Sequence, residues 1–216
     1  MPPRIICFGA GGHASVLVDA LRSKGNDVIG YLDSSPSKLG SSLLGRPVIG
    51  PTELLEDPAS IHADAFVLGV SSTGHAGHRE SLFERCVSAG LDPFTVIHAS
   101  ATVSDTADLG LGTAVLAGSV VQPNTRIGTN VILNTGTIVS HDASVEAHSH
   151  IAPGAILLGE TNVGTRTHIG AGASIRQCVV VGSDAVVGMG AVVTRDVPDG
   201  AVVMGVPAAP VEPSSR

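Results

Sequence analysis

An aliphatic residue recurs at every sixth position through most of the second half of the sequence. From Val103 to Val193 sixteen consecutive members of this series are Val, Leu or Ile, and a small residue stands two places before each, except at Val131 and Val179. A period of six fits neither an α-helix nor a flat strand, whose side chains repeat at about 3.6 and about 2 residues. It indicates a chain that turns a corner every six residues and places one aliphatic side chain in a shared interior. The series is Val103, Leu109, Val115, Val121, Ile127, Leu133, Val139, Val145, Ile151, Leu157, Val163, Ile169, Ile175, Val181, Val187 and Val193.

Three such faces complete one coil of a triangular parallel β-helix, so the repeats form about five stacked coils. Glycines that directly follow the aliphatic residues, such as Gly110, Gly128 and Gly164, fit corners that need either a positive φ or close backbone packing. With 27 Gly, no Trp and 2% aromatic residues, we expect a core of stacked aliphatic layers. The sequence therefore predicts a left-handed parallel β-helix built from hexapeptide repeats.

Charge and cysteine usage limit the classes of partner. The net charge is −7 and the basic residues are scattered, which argues against a nucleic-acid partner or an anionic membrane surface. The three cysteines, Cys7, Cys86 and Cys178, have no metal-like spacing and indicate a reducing compartment. Without a secretory signal or an apolar run of membrane-spanning length, we expect a cytoplasmic protein. Because no cluster of residues has metal-ligand spacing, we also expect no metal site.

The first part of the chain has the pattern of alternating strands and helices. A buried strand near residues 4–8 leads into a glycine-rich turn, and a strand–helix–strand order continues from there, which is typical of a parallel Rossmann-like βαβ unit. We therefore expect two domains, an α/β domain over residues 1–97 and a β-helix with a C-terminal tail over residues 98–216. The further predicted elements are a helix from His13 to Ser23, strands over Asp27–Asp33 and Ala65–Val70, and a helix near 78–89.

The glycine turn matches a dinucleotide-binding fingerprint in outline. Gly9, Gly11 and Ala14 occupy its spaced positions between a strand and a helix, and Asp33 follows some twenty residues later. Backbone N–H groups at such a helix start hold a phosphate, and the carboxylate accepts from a ribose hydroxyl. The alternative is that these glycines only allow close helix–strand packing. A full NAD site needs two mononucleotide halves and this segment supplies one, which favours a nucleotide-linked substrate over a redox cofactor.

Three stretches together carry a family resemblance: Gly9–Ala14, Ser140-His141-Asp142 and the ending Val197–Ala208. Over about residues 4–210 the chain resembles the bacterial acetyltransferases that N-acetylate nucleotide-linked 4-amino-4,6-dideoxy sugars, together with the related sialic acid O-acetyltransferases. The resemblance implies that the α/β domain binds the sugar nucleotide and that the β-helix forms a homotrimer. It further implies that acetyl-CoA lies between neighbouring β-helices and that a histidine acts as base.

Carried onto this chain, the resemblance makes His141 the catalytic base and Asp142 its partner, where many relatives have Glu. The loop Ser71–Glu80 is less basic than the version associated with uridine-linked substrates, which favours GDP-perosamine, a precursor for surface glycans such as O-antigen. The candidate substrate-binding residues are Gly11, Gly12, His13, Asp33, Ser71 and Asn134. The candidate cofactor-binding residues are His150, Gly159, Arg166 and Gly205.

Acetyl transfer to an amine needs a held nucleophile, a base for its proton and donors for the oxyanion. Histidine suits the base because it is largely neutral at cellular pH.

The other histidines are weaker candidates for the catalytic base. His62 and His98 fit ordinary surface positions, His75 and His78 fall in the nucleotide-side loop, and His148 and His168 fit a solvated face or a subunit contact.

The repeat also predicts where two histidines point. A coil takes 18 residues, so His141 and His150, nine apart, face opposite sides of one prism. If both act in one reaction, His150 must come from a neighbouring subunit. Two other functions remain open at this point: O-acetylation of a sialic acid-type sugar, and a non-catalytic β-helix scaffold with a vestigial nucleotide domain.

Overall fold

The computed structural model describes residues 2–71 and 77–211 and begins with a six-stranded sheet in the order β3-β4-β2-β1-β5-β6. All neighbouring strands are parallel except β3 and β4. The strands are β1 (Ile5–Phe8), β2 (Val28–Leu32), β3 (Ser42–Leu43), β4 (Arg46–Gly50), β5 (Ala65–Leu68) and β6 (Asp92–Pro93). The helices are α1 (Gly12–Arg22), a 3₁₀ helix (Thr52–Glu56), α2 (Pro58–Ile61) and α3 (Gly77–Ser88).

Two apolar cores cover the two faces of this sheet. Leu17 and Leu21 of α1 pack with Tyr31 on one face, and Leu82 and Phe83 of α3 pack on the other. The predicted strand–helix–strand order is confirmed. The β3–β4 hairpin, the 3₁₀ helix and α2 were not predicted, because their short segments lack a clear hydrophobic period.

The rest of the described chain winds into a triangular prism of three sheets, whose neighbouring strands are parallel except β24 and β25. Sheet I has the strand order β25-β24-β22-β19-β16-β13-β10-β7, sheet II β23-β20-β17-β14-β11-β8 and sheet III β21-β18-β15-β12-β9. From β8 to β23 each strand has two residues, and residues 18 apart pair across neighbouring coils, as Leu133 does with Ile151. The predicted β-helix is confirmed. Its strands are β7 (Val96–Ile97), β8 (Thr102–Val103), β9 (Asp108–Leu109), β10 (Ala114–Val115), β11 (Val120–Val121), β12 (Arg126–Ile127), β13 (Ile132–Leu133), β14 (Ile138–Val139), β15 (Ser144–Val145), β16 (His150–Ile151), β17 (Ile156–Leu157), β18 (Asn162–Val163), β19 (His168–Ile169), β20 (Ser174–Ile175), β21 (Val180–Val181), β22 (Val186–Val187), β23 (Val192–Val193), β24 (Val202–Met204) and β25 (Ala209–Pro210).

The prism edges explain the glycine pattern in two ways. Glycines directly after the inward aliphatics serve close packing, since a Cβ on Gly110 would lie 2.5 Å from backbone of the next coil. The positive φ falls instead three residues after each aliphatic from Leu109 to Val187, at every sixth residue from Gly112 to Gly190. Edge I–II carries it on Gly118, Gly136, Gly154, Gly172 and Gly190; edge II–III on Asn124, Asp142, Glu160 and Cys178; and edge III–I on Gly112, Asn130, His148, Arg166 and Asp184.

The α/β domain packs directly on the β-helix. Strand β7 (Val96–Ile97) already pairs with β10, so sheet I starts two residues before the predicted boundary at 97/98. Arg79 of α3 is 2% exposed and donates hydrogen bonds to the backbone carbonyls of Asn130, His148 and Ser149 on edge III–I. This buried guanidinium ties the two parts together. In the described ranges no helix has both the length and the apolar character needed to cross a membrane.

Candidate active site

His141 and Asp142 form an exposed hydrogen-bonded pair on edge II–III. The His141 Nδ1 lies 2.8 Å from Asp142 Oδ2, and Asn124 Nδ2 donates to Asp142 Oδ1 at 3.1 Å. The backbone N–H of His141 donates to Gln122 Oε1 at 3.2 Å. The hydrogen bonds from His141 and Asn124 lower the pKa of the Asp142 carboxyl below its ordinary value. An ionised Asp142 accepts the Nδ1 proton, which leaves the lone pair of a neutral His141 on Nε2.

Gly159, a predicted cofactor residue, lies one coil beyond His141 and directly against its ring. A Cβ at Gly159 would lie 2.6 Å from His141 Cε1 and 2.7 Å from Nε2. The missing side chain therefore leaves room for the imidazole.

Asn134 and His150 also lie together, on sheet I beside edge I–II. Asn134 Nδ2 is 3.1 Å from His150 Nε2, and Asn134 Oδ1 accepts from the N–H of Thr135 at 2.8 Å. His150 is 4% exposed, and its ring centroid is 5.1 Å from that of His168. In a triangular prism edge II–III lies opposite sheet I. Within one chain His141 and His150 are thus on opposite sides.

An apolar groove of about 410 Å³ runs beside His150 and His168. Pro153, Ala171 and Met189 line it where successive coils pass edge I–II. Gly205, with φ of +97°, follows β24 at the same edge. Asn134, His150 and Gly205 thus share one side of the prism.

Arg166 lies away from that groove, on edge III–I. Its guanidinium donates to both carboxylate oxygens of Asp184, at 2.7 and 2.8 Å, and to Glu80 of α3 at 3.4 Å. These carboxylates, with Asp184 first, raise the pKa of Arg166 above its ordinary value. The structure does not bring Arg166 together with His150, and its role at the CoA phosphates stays a prediction.

The glycines of the N-terminal turn divide into two kinds. Gly9 has a φ of +95°, and its Cβ would lie 2.8 Å from Val70 Cγ1, so its role is conformational and steric. Among the described residues, a Cβ at Gly12 would meet no atom within 4 Å, and one at Gly11 would meet only Lys38 Nζ at 4.0 Å. Packing against the described part of the chain therefore does not explain Gly11 or Gly12. Both stand at the start of α1, where Gly11 provides no side-chain cap.

Asp33 orders this turn. Its Oδ2 accepts from the Ala10 N–H and from Lys38 Nζ, both at 2.8 Å, and its Oδ1 accepts from the Ser35 N–H at 2.9 Å. Burial raises the pKa of Asp33, but the hydrogen bonds from Lys38, Ala10 and Ser35 outweigh it and hold the pKa below its ordinary value. Sequence reasoning missed Lys38, which carries no motif and is placed beside Gly11 by its ion pair with Asp33.

His13 is enclosed behind the turn, close to Arg79. Its Nε2 is buried without a hydrogen-bond partner among the described residues. Burial, with a smaller effect from the Arg79 charge, lowers the pKa of His13 to about 4. The burial of Arg79 was not predicted either, because the sequence of this helix does not distinguish a buried arginine from an exposed one.

A cleft of about 220 Å³ opens at the carboxyl ends of the parallel strands. Gly9, Asp33 and Thr52 line it on the strand side, and His78 and Arg85 line it on the α3 side. Ser71 is exposed just beyond β5. The predicted loop residues 72–76, which include His75, lie outside the described residues. Across the described ranges, no group of three or more His, Cys, Asp or Glu residues is arranged to hold a metal ion.

Comparisons with known proteins agree with this architecture. Residues 4–86 match the PglD N-terminal domain family. The chain is 33% identical to perosamine N-acetyltransferase from Caulobacter crescentus, solved as a histidine-to-asparagine variant with CoA and GDP-perosamine, with a TM-score of 0.91 over 99% of both chains. It is 36% identical to the acetyltransferase domain of PglB from Neisseria gonorrhoeae FA1090, solved with acetyl coenzyme A, with a TM-score of 0.88 over 97% of this chain and 99% of that one. WeeI from Acinetobacter baumannii AYE is 26% identical, with a TM-score of 0.83 over 96% of this chain and 99% of that one. Functionally curated sequences give no match.

The prism, its N-terminal α/β domain and these neighbours define a hexapeptide-repeat acyltransferase. More narrowly, the chain belongs to the family of sugar N-acetyltransferases represented by perosamine N-acetyltransferase and the PglB acetyltransferase domain.

Proposed function

We propose that this protein transfers the acetyl group of acetyl-CoA to the 4-amino group of a nucleotide-linked 4-amino-4,6-dideoxy sugar, with GDP-perosamine as the favoured substrate. The observation that carries the proposal is the His141–Asp142 pair. It presents an exposed imidazole whose Nδ1 is held at 2.8 Å by a carboxylate. The described residues place no hydrogen-bond partner at Nε2, which is therefore open to a substrate.

The reaction needs one proton acceptor, and His141 supplies it. The sugar amine attacks the thioester carbonyl carbon, and His141 Nε2 accepts the amine proton. The tetrahedral intermediate then collapses to an amide and a CoA thiolate, which recovers the proton to give free CoA. Asp142 keeps the imidazole in the tautomer with Nε2 unprotonated and stabilises the imidazolium that forms.

The sugar nucleotide is assigned to the α/β domain. Open N–H groups at the start of an α-helix bind anions well, and Gly11 and Gly12 leave this one uncovered. Lys38 adds a cation beside Gly11. The relative with GDP-perosamine bound spans the same two parts of the chain, which supports the assignment.

Acetyl-CoA is assigned to the groove of edge I–II, beside His150 and Gly205. Its apolar lining suits the pantetheine arm. Because His141 and His150 lie on opposite sides of one prism, a complete site combines edge II–III of one protomer with edge I–II of the next. We therefore propose a homotrimer with its sites between subunits.

The test is product analysis with purified protein. Acetyl-CoA and GDP-perosamine should give free CoA and an N-acetylated sugar nucleotide by mass spectrometry, whereas a sialic acid-type sugar should not. CoA release with the sialic acid alone would favour O-acetylation. Failure of acetyl-CoA to raise the melting temperature of the protein would favour the alternative of a non-catalytic β-helix scaffold.

A further inference from the structure

A hydrogen-bonded carboxylate lies at the rim of the α/β-domain cleft, outside the glycine turn, next to two residues that line the cleft. Ser34 follows β2 and Thr52 follows β4, and both line the cleft. Ser34 Oγ lies 2.5 Å from Thr52 Oγ1 and donates to Glu53 Oε2 at 2.8 Å. The N–H of Thr52 donates to Ser34 Oγ at 3.1 Å. Two neighbouring strand ends thus hold one carboxylate in a defined orientation.

A cation lines the cleft on the side of α3. Arg85 lies on α3, lines the same cleft and is exposed. The hydrogen bond from Ser34 is the main cause that lowers the pKa of Glu53, and the charge of Arg85 acts in the same direction. Glu53 is therefore ionised and acts only as an acceptor, while Arg85 acts only as a donor.

The position along the strand ends matches that of a nucleobase. In parallel α/β sheets the phosphates lie at the turn after the first strand and the ribose near the end of the second. Here those places are the Gly9–Gly12 turn and Asp33. The next strand end in sheet order is that of β4, where Thr52 and Glu53 stand. The base of a nucleotide bound in this way would lie at this strand end, beside Glu53.

We propose that Glu53, oriented by Ser34, reads the base of the substrate and selects guanine, with Arg85 as its second contact. Guanine presents two adjacent donors, N1–H and the N2 amino group, that fit one carboxylate. Its O6 and N7 acceptors fit an arginine. Uracil offers a single N–H between two carbonyl oxygens, which a carboxylate repels. The inference rests on the proposed function, because it assumes that a sugar nucleotide occupies this cleft.

The experiment is calorimetric binding of GDP, IDP and UDP to the full-length protein and two variants. IDP lacks the N2 amino group, so it removes one donor from the base. Wild type should bind GDP about tenfold or more tightly than UDP, and more tightly than IDP. Glu53→Gln should lose about tenfold or more of the GDP affinity, bind UDP as before and no longer distinguish GDP from IDP. The matched control is Glu56→Gln, an exposed residue of the same 3₁₀ helix, which should leave all three affinities unchanged.

The contrary results separate the two proposals. Unchanged GDP affinity in Glu53→Gln, or tighter binding of UDP than GDP by wild type, overturns guanine selection and leaves sugar acetylation standing. Binding of none of the three nucleotides by folded wild type overturns both guanine selection and the assignment of the sugar nucleotide to this domain.

Discussion

The imidazole of His141 lies against the Cα of Gly159, one coil further along the β-helix. A Cβ at Gly159 would stand 2.6 Å from His141 Cε1, closer than side-chain atoms can pack. The ring position thus depends on a residue 18 places away in the sequence.

Gly159→Ala should therefore displace the imidazole and lower kcat by roughly tenfold to a hundredfold, since small errors in the position of a catalytic group are costly. The affinity for the sugar nucleotide should stay the same, because that ligand is assigned to the other domain. Gly77→Ala is the matched control for kcat, since a Cβ there meets no atom of the described residues within 4 Å. Steady-state kinetics of both variants checks this prediction, and a Gly159→Ala enzyme with wild-type kcat would refute it.

A shared site predicts complementation between two defective chains. His141→Ala and His150→Ala should each be nearly inactive, yet mixed trimers should regain activity in about a third of their sites, where the two intact histidines meet. Co-expression with two affinity tags isolates the mixed trimers for assay. A monomeric mass by light scattering at micromolar concentration, or no recovery in isolated mixed trimers, would contradict the shared site.

A bulky side chain in the N-terminal turn should weaken binding of the sugar nucleotide. Gly11→Val should raise the KM for the sugar nucleotide because its side chain enters the space beside Lys38 that we assign to the diphosphate. Stabilisation by acetyl-CoA should remain, since the two ligands occupy different domains. Calorimetry with the folded variant measures the effect. Normal binding of the nucleotide by this variant would show that Gly11 has only a structural role.

His13 should make stability depend on pH. Its pKa is about 4 in the folded protein against 6.5 ordinarily, so between these values the unfolded chain binds more protons. The contribution is complete above pH 6.5 and declines, by on the order of 3 kcal/mol in total, as the pH falls to 4. His13→Gln should flatten this decline in urea unfolding, whereas His62→Asn, at an exposed left-handed position, should not. Equal pH slopes for wild type and His13→Gln would show that His13 is not buried as described.

The period of six was enough to predict the β-helix, because the same inward-facing aliphatic position recurs in every six-residue repeat and can be seen in the sequence. The opposed positions of His141 and His150 followed from the same count and are confirmed, since His141 lies on edge II–III and His150 on sheet I. Contacts between the domains were beyond that reasoning. Arg79 and the Arg166–Asp184 pair depend on how α3 packs against edge III–I, which no local pattern encodes.

In the site of the α/β domain, too, some residues could be predicted from the sequence and others could not. The glycine turn and Asp33 could be found from spacing, but the partners of Asp33 could not. Lys38 lies five residues beyond it in a stretch without a motif, and only the folded turn brings its ammonium group to 2.8 Å. Likewise the Ser34–Glu53 contact joins two strand ends that are neighbours only in the sheet.

The most direct test of the account is the kcat of His141→Ala with acetyl-CoA and a GDP-linked 4-amino sugar. The account predicts a loss of roughly 10²–10⁴, the usual contribution of a general base, with the KM for the sugar nucleotide little changed. A folded His141→Ala protein that keeps more than about a tenth of the wild-type kcat would show that His141 is not the base.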